Sequence, residues 1–174
     1  MIVNNCSYQN RYICDISEIN KLARDIGKKT KLANNSKNYT EFNLLLVNRI
    51  VQYREKAIPS VLNVLKNSQD EKTIAESIYI LDKMVDAGVK GIDKVYPVLS
   101  EFNNTESPTI QVLLAGVYRK TQIPDAFGPL CKMMIRNSLK QDYPYFDPIE
   151  EIGGAVLEYI RNKNAVNEYN KISR

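Results

Sequence analysis

Apolar residues recur at helical spacing along most of this chain. Ile16, Ile19, Leu22, Ala23 and Ile26 fall on one face at the 3.6-residue period, which predicts a first amphipathic helix. Asp15 and Glu18 stand in the D-x-x-E spacing of a capping box, so the helix is expected to open at Asp15, with residues 1–14 as a polar arm. Asn34-Asn35-Ser36-Lys37-Asn38 is turn chemistry, and Thr40 is the expected cap of a second helix. Its run of Phe42, Leu44, Leu45, Leu46, Val47, Ile50 and Val51 is apolar nearly all round, the pattern of a helix buried on several sides.

A loose threefold echo follows. Ala57-Ile58-Pro59-Ser60-Val61-Leu62, Val95-Tyr96-Pro97-Val98-Leu99 and Phe127-Gly128-Pro129-Leu130 each place a proline just inside an amphipathic run. Proline is tolerated there because the first-turn N–H has no intrahelical partner to lose. Each leading helix is followed by a turn and a second helical run, beginning near Thr73, Thr109 and Pro148. The second runs carry buried-type stripes: Ile74, Ile78, Leu81 and Val85; Ile110, Leu113, Leu114 and Val117; Ile149, Ile152, Val156 and Ile160. Ser107-Pro108 and Asp147-Pro148 are N-terminal signals, and Ala87-Gly88 is a left-handed stop. Gly153-Gly154 in mid-helix weakens the last run by about 1 kcal/mol per glycine relative to alanine, so a close helix–helix contact is expected there.

No stretch alternates with period two, so the expected fold is all-α, with about eight helices in one domain over residues 1–174. Residues 15–55 form a helical cap, residues 56–163 three helix pairs, and residues 164–174 a tail. A repeat in the thirties of residues denotes stacked helix pairs. On the Ala57–Leu62 opening, Asp70 in the turn, and Ala75 with Ile78 to Leu81 behind it, the chain resembles the HEAT-like repeat family over residues 57–160. It departs from that family's pattern in lacking the arginine usual early in the second helix, with Glu76 and Gln111 nearby. The resemblance implies a right-handed α-solenoid acting as a scaffold or adaptor, and it transfers no individual site residue.

Composition narrows the chemistry. The 174 residues contain no His and no Trp, which removes the usual near-neutral acid/base and the commonest metal ligand. Cys6, Cys14 and Cys131 form neither a C-x-x-C pair nor an even disulfide set, and free thiols in a reducing compartment are the simplest reading. Glycine-rich phosphate loops, zinc-protease and calcium-loop motifs are all absent. Neither a metal nor a cofactor is expected, nor enzymatic activity. No run approaches the roughly 18 apolar residues of a membrane helix, and the first 20 residues lack a signal-peptide core, so a cytoplasmic location and no membrane insertion are expected.

The net charge of +4 is uneven: residues 1–60 hold ten Lys and Arg against five Asp and Glu, and the remainder is close to balanced. Lys21, Arg24, Lys28 and Lys31 share one expected helical face, with Lys29 and Lys37 nearby. The bland reading is a solvated surface; the sharper ones are phosphates of a nucleic acid, membrane headgroups or an acidic protein. The link Tyr143-Pro144-Tyr145-Phe146 sets three rings within four residues, either as partner anchors or as a seal over the end of the core. The acids Asp142, Asp147, Glu150 and Glu151 read as cap and first-turn residues rather than as an acid/base pair. Cys131 lies on a leading-helix pattern, where burial outweighs nucleophilic use.

Recognition of another protein is therefore the expected function, through Tyr143, Tyr145 and Phe146 together with Glu76, Tyr79, Lys83, Gln111 and Tyr118 as an exposed second-helix lining. Nucleic-acid binding through the Lys21–Lys31 stripe stands second. A distant third is the chemistry of the HEAT-like alkylpurine DNA glycosylases, against which the missing Trp and the neutral-to-acidic second half both weigh.

Overall fold

The computed structural model of the chain describes residues 6–28, 42–139, 147–162 and 170–171, with side chains from residue 15 onward. Among them every regular element is helical, giving an all-α fold of eight α-helices with four short 3₁₀ turns. No described helix is long and apolar enough to cross a membrane. Contacts group the chain into two compact units, Met1–Ala87 and Gly88–Arg174.

In the first unit α1 spans Cys6–Ala23, α2 Leu44–Gln52, α3 Ile58–Asn67 and α4 Glu71–Asp86. α1 starts well before Asp15, so part of the expected arm is helix. Inside a helix the backbone N–H groups already have carbonyl partners, and both capping-box acids turn outward to other elements instead. Asp15 pairs with Lys56 at 2.9 Å and Glu18 with Arg49 at 2.7 Å. Thr40 lies outside the described residues; the observed cap of α2 is Asn43, whose Oδ1 accepts from the Leu46 N–H at 3.2 Å. α2 is less buried than its composition suggests. Leu46, Val47 and Ile50 are buried, but Leu44 and Leu45 are 57% and 75% exposed.

The helix buried on several sides is α4. It packs on both α2 and α3, and nine of its sixteen residues are buried, Glu76, Ser77 and Asp82 among them. Asp70 opens it by accepting from the Thr73 N–H at 2.8 Å and the Thr73 hydroxyl at 2.6 Å, and these two bonds hold the Asp70 carboxyl below its usual range. Gly88, at φ +67°, lies just past its end as the expected left-handed stop. Pro59 sits in the opening turn of α3, as anticipated.

In the second unit α5 spans Tyr96–Leu99, α6 Pro108–Thr121, α7 Phe127–Ser138 and α8 Ile149–Arg161. α5 is a single turn between 3₁₀ turns at Ile92–Val95 and Ser100–Phe102, where a full leading helix was expected. Ser107 caps α6 and Pro108 opens it, as the sequence indicates. α8 packs on both α6 and α7 through Ile152, Ala155, Val156 and Tyr159, all buried. Asp147 accepts from the Ile149 N–H at 2.9 Å, consistent with its reading as a cap residue. Among the described residues Gly153-Gly154 sits in no tight helix–helix contact. A Cβ on Gly153 would meet nothing within 4 Å, and one on Gly154 only the Arg119 Nη1 at 3.8 Å.

Candidate interaction groove

An open groove of about 810 Å³ runs along α1 and α2 in the first unit. α1 supplies Glu18, Asn20 and Lys21, the turn after it Arg24 and Asp25, and α2 Arg49. The turn exists because Gly27, at φ +79°, closes it against α4: a Cβ there would lie 2.0 Å from Thr73 Oγ1. The basic stripe is thereby split. Lys21 lies in the last turn of α1, Arg24 and Lys28 lie beyond the helix, and Lys31, with Lys29 and Lys37, falls outside the described residues.

Charges in the groove are unequally satisfied. Glu18 is held below the usual carboxylate range by the Tyr53 hydroxyl and then by Arg49. Lys28 pairs with Asp25 at 2.8 Å, which lowers the Asp25 carboxyl. Lys21 and Arg24 are exposed and have no ion-pair partner among the described residues. Two open cations beside two satisfied pairs can hold a carboxylate or a phosphate, and Arg24 offers a planar fork for either.

The expected second-helix lining is largely interior. Glu76, Gln111 and Tyr118 are fully buried, so none lines an exposed surface. Each buries its polar end against backbone or a turn. Glu76 Oε2 accepts from the Gly27 N–H at 2.5 Å and Oε1 from the Asn43 N–H at 2.6 Å. Gln111 Nε2 donates to the Thr105 carbonyl at 2.8 Å, and the Tyr118 hydroxyl to Asn103 Oδ1 at 2.8 Å. Tyr79 and Lys83 are half-buried and already engaged. The Tyr79 ring stacks on Phe42 with centroids 4.6 Å apart, and Lys83 lies 5.3 Å over that ring while pairing with Asp86 at 2.8 Å. That pairing raises the Lys83 ammonium above its usual value.

Tyr143, Tyr145 and Phe146 lie outside the described residues, as does Asp142. Glu151 pairs with Arg119 at 3.4 Å. Burial pushes the Cys131 thiol up, away from the thiolate a nucleophile needs. Among the described residues no group of three or more Cys, Asp or Glu could hold a metal ion.

The Glu76 clamp escaped sequence reasoning, although a signal was present. Ile80 lies off the Ile74–Ile78–Leu81 stripe and shares a face with Glu76 four residues earlier, which marks a second buried side of α4. Arg49 was missed because its role depends on α1 and α2 lying side by side. No family model, curated protein or solved structure matches the chain.

Proposed function

We propose that the protein is a non-enzymatic interaction module, a scaffold of the HEAT-like α-solenoid kind, that takes an acidic segment of another protein in the α1–α2 groove. The observation that carries this reading is the pair of open cations, Lys21 and Arg24, in a groove whose other charges are already paired. The packing of α3 on α4 and of α7 on α8 supports the helix-pair reading. An acidic peptide is favoured over a nucleic acid because Glu18 and Asp25 interrupt the positive surface. A continuous phosphate backbone would meet both carboxylates, whereas a peptide can place one or two acids on the cations alone.

The test is fluorescence anisotropy with a labelled Glu/Asp-rich peptide and, in parallel, a labelled oligonucleotide. The peptide is expected to bind, and Lys21→Glu with Arg24→Glu to weaken it about tenfold or more without shifting the melting temperature, since both residues are exposed. Tighter binding of the oligonucleotide, with a salt slope near −0.9 per phosphate, would transfer the groove to nucleic acid. Peptide binding indifferent to the double change would remove the groove from the account.

A further inference from the structure

The outward side of α8 carries a sequence that is complementary to itself when reversed. Ile152, Ala155, Val156 and Tyr159 face the core. The helical period sets Glu150, Gly154, Leu157 and Arg161 on the opposite side, with Gly153 and Ile160 flanking them. Leu157 is 54% and Ile160 53% exposed. Open space stands over Gly153, and Gly154 has only the tip of Arg119 near it. Two adjacent glycines weaken the helix by about 2 kcal/mol together, and packing among the described residues gives no reason for them.

We propose that α8 is a self-association surface, on which a second copy of this chain lays its own α8 antiparallel about a two-fold axis. With the axis midway between residues 154 and 157, Leu157 seats on the partner's Gly154, and the partner's Leu157 seats on Gly154. The same register sets Glu150 beside the partner's Arg161 at one end and repeats that pair at the other, the isologous arrangement a two-fold requires. A missing Cβ lets the two helix axes approach closely enough for the leucine to fill the groove.

Charge is what selects a second copy over another partner. Glu150 is an exposed carboxylate with no ion-pair partner among the described residues. Arg161 reaches Glu158 of its own helix at 3.8 Å, with both side chains half exposed or more. An acid in the first turn and a base in the last, on one line, are matched at both ends by an antiparallel copy of the same helix, with no further partner needed. One helix per subunit buries less than the roughly 1,200 Å² of a stable interface, so the association is reversible, with Kd on the order of 10–100 μM.

Sedimentation equilibrium of the full chain from about 5 to 500 μM tests this. A monomer–dimer equilibrium is expected. Leu157→Glu should weaken it about tenfold or more, Glu150→Arg should weaken it less, and Glu150→Arg with Arg161→Glu should restore it. Leu157→Gln gives a second reading should the glutamate lower the melting temperature. A monomer throughout the range overturns the proposal. So does a dimer indifferent to Leu157→Glu and Leu157→Gln, or a charge reversal that fails to restore what the single change lost.

Discussion

The two units bury polar groups in opposite ways. In the first, a single carboxylate, Glu76 of α4, accepts from the N–H of Gly27 and of Asn43, on two chain segments that otherwise belong to different elements. In the second, neutral phenols do comparable work. The Tyr159 hydroxyl of α8 lies 2.8 Å from the Ile123 carbonyl and 3.0 Å from that of Tyr118, so one proton serves acceptors at the end of α6. Tyr118 in turn reaches Asn103 in the turn before α6. A buried carboxylate is only an acceptor and suits free N–H groups, here at a tight turn and at the start of α2. A phenol can donate, and here it adds a second donor to two carbonyls near the end of α6 that already accept from the Gln122 and Ala126 N–H groups. The type of buried group thus follows whether it faces N–H donors, as Glu76 does, or oxygen acceptors, as Tyr118 and Tyr159 do.

The largest expected effect breaks the charged clamp. Glu76→Ala leaves two part-buried N–H groups without an acceptor, at about 1–2 kcal/mol each, and should destabilise the chain by about 2–4 kcal/mol in urea titration. Glu76→Gln keeps one acceptor and aims a donor at the other N–H, so it should fall between Glu76→Ala and wild type. Amide exchange at Gly27 and Asn43 should accelerate in both variants. Unchanged protection at those two amides would show that the carboxylate does not hold them.

Tyr159→Phe is the smaller counterpart in the second unit. It removes one donor and leaves the chain's shape alone, so about 1–2 kcal/mol is expected at neutral pH. The pH dependence distinguishes it further. Burial raises the Tyr118 phenol well above its ordinary value, and raises Tyr159 as well. Above pH about 10 the unfolded chain ionises these phenols while the folded chain keeps them protonated. The folded state then holds more protons, so stability is full below pH about 10 and falls as pH rises, by about 1.4 kcal/mol per pH unit per phenol. Tyr159→Phe should flatten that alkaline loss by one phenol's share. An alkaline slope identical to wild type would mean that Tyr159 is not held neutral by its site.

The contrast between the units also shows what the sequence could and could not carry. Periodicity placed the second helices well, because α4, α6 and α8 each bury a stripe against neighbours on a fixed side. It overestimated the leading helix around residues 95–99, where α5 keeps one α-helical turn between two 3₁₀ turns. It also misread the surface. Glu76, Gln111 and Tyr118 looked exposed because polar residues off the main stripe of an amphipathic helix normally meet water. α4 and α6 bury further sides, and a polar residue there must find a partner in a distant turn. For Glu76 and Gln111 those partners are backbone groups, at Gly27, Asn43 and Thr105, and a backbone group leaves no mark in residue identity; Tyr118 finds the Asn103 side chain instead.

Glycine gives the finest form of the comparison, and the smallest effect. Gly27 in the first unit is required twice over, by its left-handed φ and by Thr73 standing where a Cβ would go. Gly153 in the second unit has neither constraint: it lies inside α8 with open space before it. Alanine there loses less backbone entropy on folding and meets no clash. Gly153→Ala should therefore stabilise dilute protein by about 0.5–1 kcal/mol, seen as a rise of a few degrees in melting temperature. A loss of stability instead would mean that the space over α8 is filled in the folded chain, and the difference between the two glycines would vanish with it.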